Sequence, residues 1–149
     1  MKKNLPESSK FKAQHNVVTS SLRILIADSR SARSLEIERA LNGHGYYRIS
    51  PLRMFSELEA ALENAVETFD LLLISHEISG SPDVDLRDFC RVNPMVRHFV
   101  IYGDPHAIVG PMDIWPPRVQ LNMSRLPDSE LLGRVMNVIE LPTRAKAFR

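Results

Sequence analysis

The segment Phe69-Asp70-Leu71-Leu72-Leu73-Ile74 ends in four consecutive aliphatic residues with no polar alternation. A strand with one wet face alternates apolar and polar side chains, so this run marks a strand covered on both faces, as in the middle of a parallel sheet between layers of helices. Parallel neighbours need crossover connections, and the sequence supplies helical ones. Leu22-Arg23-Ile24-Leu25-Ile26-Ala27 is rich in strand formers and stops at Asp28-Ser29. Ile37, Ala40 and Leu41 then recur at helical spacing until Gly43 and Gly45. Residues 46–49 with Leu52 form a weaker second strand. Ser56 and Glu59 have the Ser-x-x-Glu spacing of a capping box, predicting a helix with Leu58, Ala61, Leu62 and Ala65 on its buried stripe.

After a loop at residues 75–82, Leu86, Phe89 and Cys90 mark a short third helix closed by Asn93-Pro94. Cys90 lies on its apolar stripe, which suits a core position. Residues 98–102 read as a fourth strand and 119–123 as a short fifth. Pro127, Asp128 and Glu130 open a last helix whose apolar face is Leu131, Leu132, Val135, Val138 and Ile139. Five β units with four or five helices predict an α/β fold, a right-handed doubly wound five-stranded parallel sheet.

Charge divides the chain. Its five lysines are Lys2, Lys3, Lys10, Lys12 and Lys146, and every other basic side chain is arginine. Residues 22–141 hold 12 arginines against 17 acids, so an acidic domain sits between a flexible basic N-terminal arm, 1–21, and a basic C-terminal tail, 142–149. Solubilising tails are the expectation: Phe11 is the arm's one aromatic residue, and no DNA-reading motif is present. The single cysteine excludes an internal disulfide and suits a reducing compartment. Polar residues follow Met1-Lys2-Lys3 where a secretion signal needs an apolar run, and no segment is apolar enough to span a membrane, so a soluble cytoplasmic protein is expected.

Doubly wound sheets bind ligands beyond the carboxyl ends of their strands. Those ends offer Asp28 and Ser29, then Ser75, His76 and Glu77, then Tyr102, Gly103 and Asp104, then Met123, Ser124 and Arg125. Asp28, Glu77 and Asp104 are candidates for a metal cluster, and Ser75 beside His76 invites a hydrolase reading. Adjacent residues on an extended segment point apart, however, and no Gly-x-Ser-x-Gly elbow is present. The five histidines lack metal-ligand spacing, and Asp28 has a simpler use as a helix cap or loop acceptor.

Residues 22–141 resemble the receiver domain of bacterial two-component response regulators. Ile24-Leu25-Ile26-Ala27-Asp28 resembles that family's first strand and acidic pair. Asp70-Leu71-Leu72-Leu73-Ile74-Ser75 resembles the strand leading to its phosphoaccepting aspartate, and Ile78-Ser79-Gly80 the turn that follows. The resemblance implies a pocket in which an aspartate takes a phosphoryl group, two more acids help hold Mg²⁺, and a hydroxyl residue and a lysine grip the phosphoryl oxygens. Carried over, only the first acid survives, as Asp28. The second falls on Ser29, the phosphoacceptor on Ser75, the hydroxyl residue on Tyr102, the lysine on Ser124 and the aromatic switch residue on Asn122. One carboxylate and two hydroxyls make a poor Mg²⁺ site, and serine cannot form an acyl phosphate. A slip in strand register would offer Glu77 as acid and Arg125 as cation.

The resemblance therefore implies a vestigial pocket at Asp28, Ser29, Ser75, Tyr102 and Ser124, with no catalytic residue, metal or cofactor. The expected function is a phosphorylation-independent pseudo-receiver that binds a protein partner or a second copy of itself. The alternatives are a divergent but active phosphoacceptor and, behind it, a metal-dependent enzyme. Where the family has its fourth helix, Pro105, Gly110, Pro111, Pro116 and Pro117 leave at most a turn or two. Met112, Ile114 and Trp115 there are candidate partner contacts, with Trp115 either an anchor or a lid over the sheet edge. Leu35 on the outer face of the first helix, near Arg30, Arg33 and Arg39, is another candidate contact.

Overall fold

The computed structural model describes residues 21–108, 114–115 and 118–147. Its strands are β1 (Ile24–Ala27), β2 (Ile49–Leu52), β3 (Phe69–Ser75), β4 (Val96–Tyr102), β5 (Ile114–Trp115) and β6 (Arg118–Asn122). Its helices are α1 (Ser31–Gly43), α2 (Phe55–Glu63), α3 (Leu86–Val92) and α4 (Ser129–Ala147). The sheet runs β2-β1-β3-β4-β6-β5, parallel throughout except for two-residue β5, which pairs antiparallel with β6 at the edge. Numbered by the parallel strands alone, this is the 2-1-3-4-5 order of a flavodoxin-like sheet.

Each face of the sheet carries its own core. Leu71 and Leu73 of β3 point to one side, among Ile37 and Leu41 of α1 and Leu132 and Val135 of α4. Leu72 and Ile74 point to the other, among Leu58 and Leu62 of α2 and Leu86 and Cys90 of α3. Period-two geometry sends successive side chains to opposite faces, and here both are dry, so every residue of the run is apolar. Cys90 is buried as expected, and desolvation pushes its thiol up to about 12 despite the opposing charge of Arg118.

Local departures have local causes. Helix α2 starts at Phe55, which puts Ser56 inside the first turn. Glu57, not Glu59, reaches back to accept from the backbone N–H groups of Met54 and Arg53, at 3.0 and 2.8 Å. The second strand starts at Ile49, because Tyr46 turns inward and donates its hydroxyl to Glu140 at 2.7 Å. No fourth-helix remnant is present between β4 and β6 among the described residues. Helix α4 continues to Ala147, beyond the boundary at 141 expected for the domain. The arm at residues 1–20 lies outside the described residues.

Arg118, at the start of β6, ties α3 to the sheet. Its guanidinium donates to the carbonyls of Arg97, Arg91, Cys90 and Val96 at 2.9 to 3.3 Å, and lies 5.7 Å from the centre of the Phe99 ring. These carbonyls include free acceptors at the C-terminal end of α3, where a cation also opposes the helix dipole. We expect Arg118→Ala to cost about 2 kcal/mol, the loss of one well-placed charged donor group, measured by urea unfolding.

Candidate functional site

Strand register brings the ends of three strands level. Ala27 pairs with Ile74, and Ser75 pairs with Tyr102, so Asp28, Ser75 and Tyr102 meet at the carboxyl edge between β1, β3 and β4. All three are buried, and the Asp28 side chain is fully so. Tyr102 donates its hydroxyl to Asp28 Oδ2 at 2.7 Å. Burial raises the Tyr102 hydroxyl's pKa, and the bond to Asp28 raises it further, so the phenol stays a protonated donor. Asp28 Oδ1 accepts from the backbone N–H of Arg30 at 2.9 Å, the loop-acceptor role anticipated for it.

Arg33 closes the corner. It lies in the first turn of α1, at the helix end nearest the strand tips, and its guanidinium turns back over the sheet. Nε donates to Asp28 Oδ2 at 3.0 Å and Nη2 to Oδ1 at 2.9 Å, a two-pronged pairing with the carboxylate. The same Nη2 lies 3.1 Å from Ser75 Oγ and 2.8 Å from Glu77 Oε1. Two hydrogens thus serve three acceptors, and the carboxylates of Asp28 and Glu77 share one nitrogen. The hydrogen bond to Asp28 is the main reason the Arg33 pKa is raised; partial burial opposes it, and Glu77 adds to it. Arg30 stands 3.6 Å from Glu77 on the exposed side.

Of the expected pocket, Asp28, Ser75 and Tyr102 are assembled. Ser29 and Ser124 are exposed and make none of the bonds that tie the corner together. Glu77 joins without any slip of register, since β3 ends at Ser75 and the following turn returns Glu77 toward α1. The cation it meets is Arg33 rather than Arg125, which is exposed. Arg33 was expected on the outer face of α1 beside Leu35, because helical spacing alone does not show that a first-turn side chain can reach past the strand ends. Leu35 is exposed as expected, at 46%.

Asp104 belongs to a second corner. Its carboxylate accepts from Asn122 Nδ2 and from the backbone N–H of His106, both at 2.9 Å, with His76 Nε2 3.8 Å away. Burial works against ionisation there, but the two hydrogen bonds and the nearby His76 and His106 outweigh it and hold the Asp104 pKa below the usual value. This geometry separates the expected metal cluster, putting Asp104 apart from Asp28 and Glu77. It also turns His76 toward Asp104. No group of three metal-ligating side chains converges among the described residues.

The expected partner contacts are described in part. Ile114 and Trp115 form β5, opposite Val119 and Arg118, which gives them an edge position in the backbone. Met112 lies outside the described residues. No helix among the described residues is long and apolar enough to cross a membrane. Comparison with protein-family models, with curated proteins and with solved structures finds no match.

Proposed function

We propose that this chain is a phosphorylation-independent pseudo-receiver, a cytoplasmic module that signals by binding a protein partner or a second copy of itself. One observation carries the reading: the guanidinium of Arg33 lies between Asp28, Ser75 and Glu77, at the corner where the receiver resemblance puts the phosphoryl-transfer chemistry. A buried carboxylate needs a counter-charge, and here a side chain of the same domain, Arg33, provides it. With Arg30 beside Glu77, the corner has no excess negative charge to draw in a divalent cation. Ser75 stands at the phosphoacceptor position and would give an alkyl phosphate rather than a reactive anhydride. The partner contacts proposed are the β5 edge, with Ile114 and Trp115, and the outer side of α1 at Leu35.

The test is an amide NMR titration with Mg²⁺ and beryllofluoride, and then with Mg²⁺ and acetyl phosphate. The amides of Asp28, Ser75, Glu77 and Gly103 are expected to keep their shifts. A saturable Mg²⁺-dependent change at those four would show a working phosphoacceptor and reject the pseudo-receiver.

A further inference from the structure

Helix α2 and the turn after it, residues 55–68, carry Glu57, Glu59, Glu63 and Glu67 and no basic residue. Glu57 is used in capping the helix. Glu59 and Glu63 stand one turn apart on the same exposed face, a spacing at which like charges repel, and neither has a cationic partner among the described residues. They flank a groove between α2 and α3 whose apolar lining includes Leu62, Phe89 and Met95, with Phe89 and Met95 half-buried. An apolar trough beside unpaired acids suits an occupant that is basic and carries one large apolar group.

The chain has such a segment. Lys10-Phe11-Lys12 places two of its five lysines around the only aromatic residue of the first 21. The chain also enters the fold beside the groove. The backbone N–H of Arg23 donates to Asp70 at 2.8 Å, and its guanidinium donates to the carbonyls of Glu67 and Thr68, in the turn that follows α2. About nine residues separate Phe11 from Ser21, enough to span roughly 30 Å when extended. Glu63 is four residues from Glu67, so the groove lies within that reach.

We propose that the N-terminal arm docks on its own domain, with Phe11 in the α2–α3 groove and Lys10 and Lys12 paired with Glu59 and Glu63. The arm then covers one outer face of the domain, and any anionic partner of the lysines competes with that contact. This inference does not depend on the pseudo-receiver reading, since it uses a face away from the carboxyl ends of the strands, where Asp28, Ser75 and Tyr102 meet.

Zero-length carbodiimide cross-linking of the full chain, mapped by mass spectrometry on the monomer band, tests it. Cross-links from Lys10 or Lys12 are expected to concentrate on Glu59 and Glu63. Links to positions 59 and 63 cannot form in Glu59→Lys/Glu63→Lys, which has no carboxylate there to activate, and should return with amine and carboxylate exchanged when Lys10→Glu and Lys12→Glu are added, as for a surface pair whose geometry survives charge exchange. Phe11→Ser, which keeps every charge, should also lower the yield. Cross-links spread equally over Glu36, Glu38 and Glu130, or found only in a dimer band, would overturn the proposal. So would a yield indifferent to Phe11→Ser, which would mark diffuse attraction rather than docking.

Discussion

Arg33→Met is expected to lower the free energy of unfolding by about 3–5 kcal/mol at neutral pH, the range for stranding one partner of a buried ion pair. Methionine keeps much of the aliphatic stem and removes the charge, leaving the fully buried Asp28 carboxylate with the Tyr102 hydroxyl and one backbone N–H. Adding Asp28→Asn removes the stranded charge and should recover most of the loss. Non-additivity of this kind distinguishes a buried pair from two independent contacts. Glu77→Gln should cost under about 1 kcal/mol, because its side chain is half-exposed and its attraction to Arg33 is weakened by solvent. Urea unfolding of the wild type, Arg33→Met, Asp28→Asn, the double variant and Glu77→Gln checks all of this. A loss under about 1 kcal/mol for Arg33→Met would mean that water satisfies Asp28 as well as the guanidinium does, removing the main support for the proposed function.

The layered architecture was legible because its signals are local and periodic. The run Leu71-Leu72-Leu73-Ile74 has the unbroken apolar pattern expected of a doubly covered strand, and the spacing of Ile37 with Leu41 and of Leu86 with Cys90 fixes which sides of two helices face it. Ladder register then brings Asp28, Ser75 and Tyr102 together, which the position-by-position reading anticipated. Arg33 was not legible from those signals. Helical periodicity assigns a residue to a stripe, but a first-turn side chain can project beyond the end of its helix. The usable signal was relational: a buried acid at the end of a strand needs a cation, and Arg33 is the first-turn arginine following it. Glu77 was offered only through a slip in register for a related reason, since strand spacing stops counting where the chain turns. The Ser56–Glu59 box matched its pattern, but the helix began two residues earlier and Glu57 took the role.

The second large effect concerns His98, which is buried in β4. Its Nδ1 accepts the backbone N–H of Val119 at 2.9 Å, so the ring is neutral with its proton on Nε2, which has no hydrogen-bond partner among the described residues. Protonation would break that link between β4 and β6 and place a charge in the core. Burial is the largest cause of a pKa lowered to about 4; Arg97 and Arg118 lower it further, and Asp70 opposes them. In the unfolded chain the ring titrates near its ordinary value of 6.5. Between those values the unfolded state binds a proton that the folded state refuses, so stability is full above about 6.5 and falls with pH down to about 4. At about 1.4 kcal/mol per unit, the loss from this one group is about 3 kcal/mol. Asp104 contributes in a separate window: its lowered pKa adds stability that is lost only below the ordinary carboxylate value. Urea midpoints from pH 7 to 4.5 should therefore decline steadily in the wild type. In His98→Asn, whose side-chain oxygen can still accept from Val119, the midpoints should stay nearly flat over that range whatever the variant's absolute stability. An equal decline in both proteins would assign the acid sensitivity to other groups and leave His98 as an ordinary core residue.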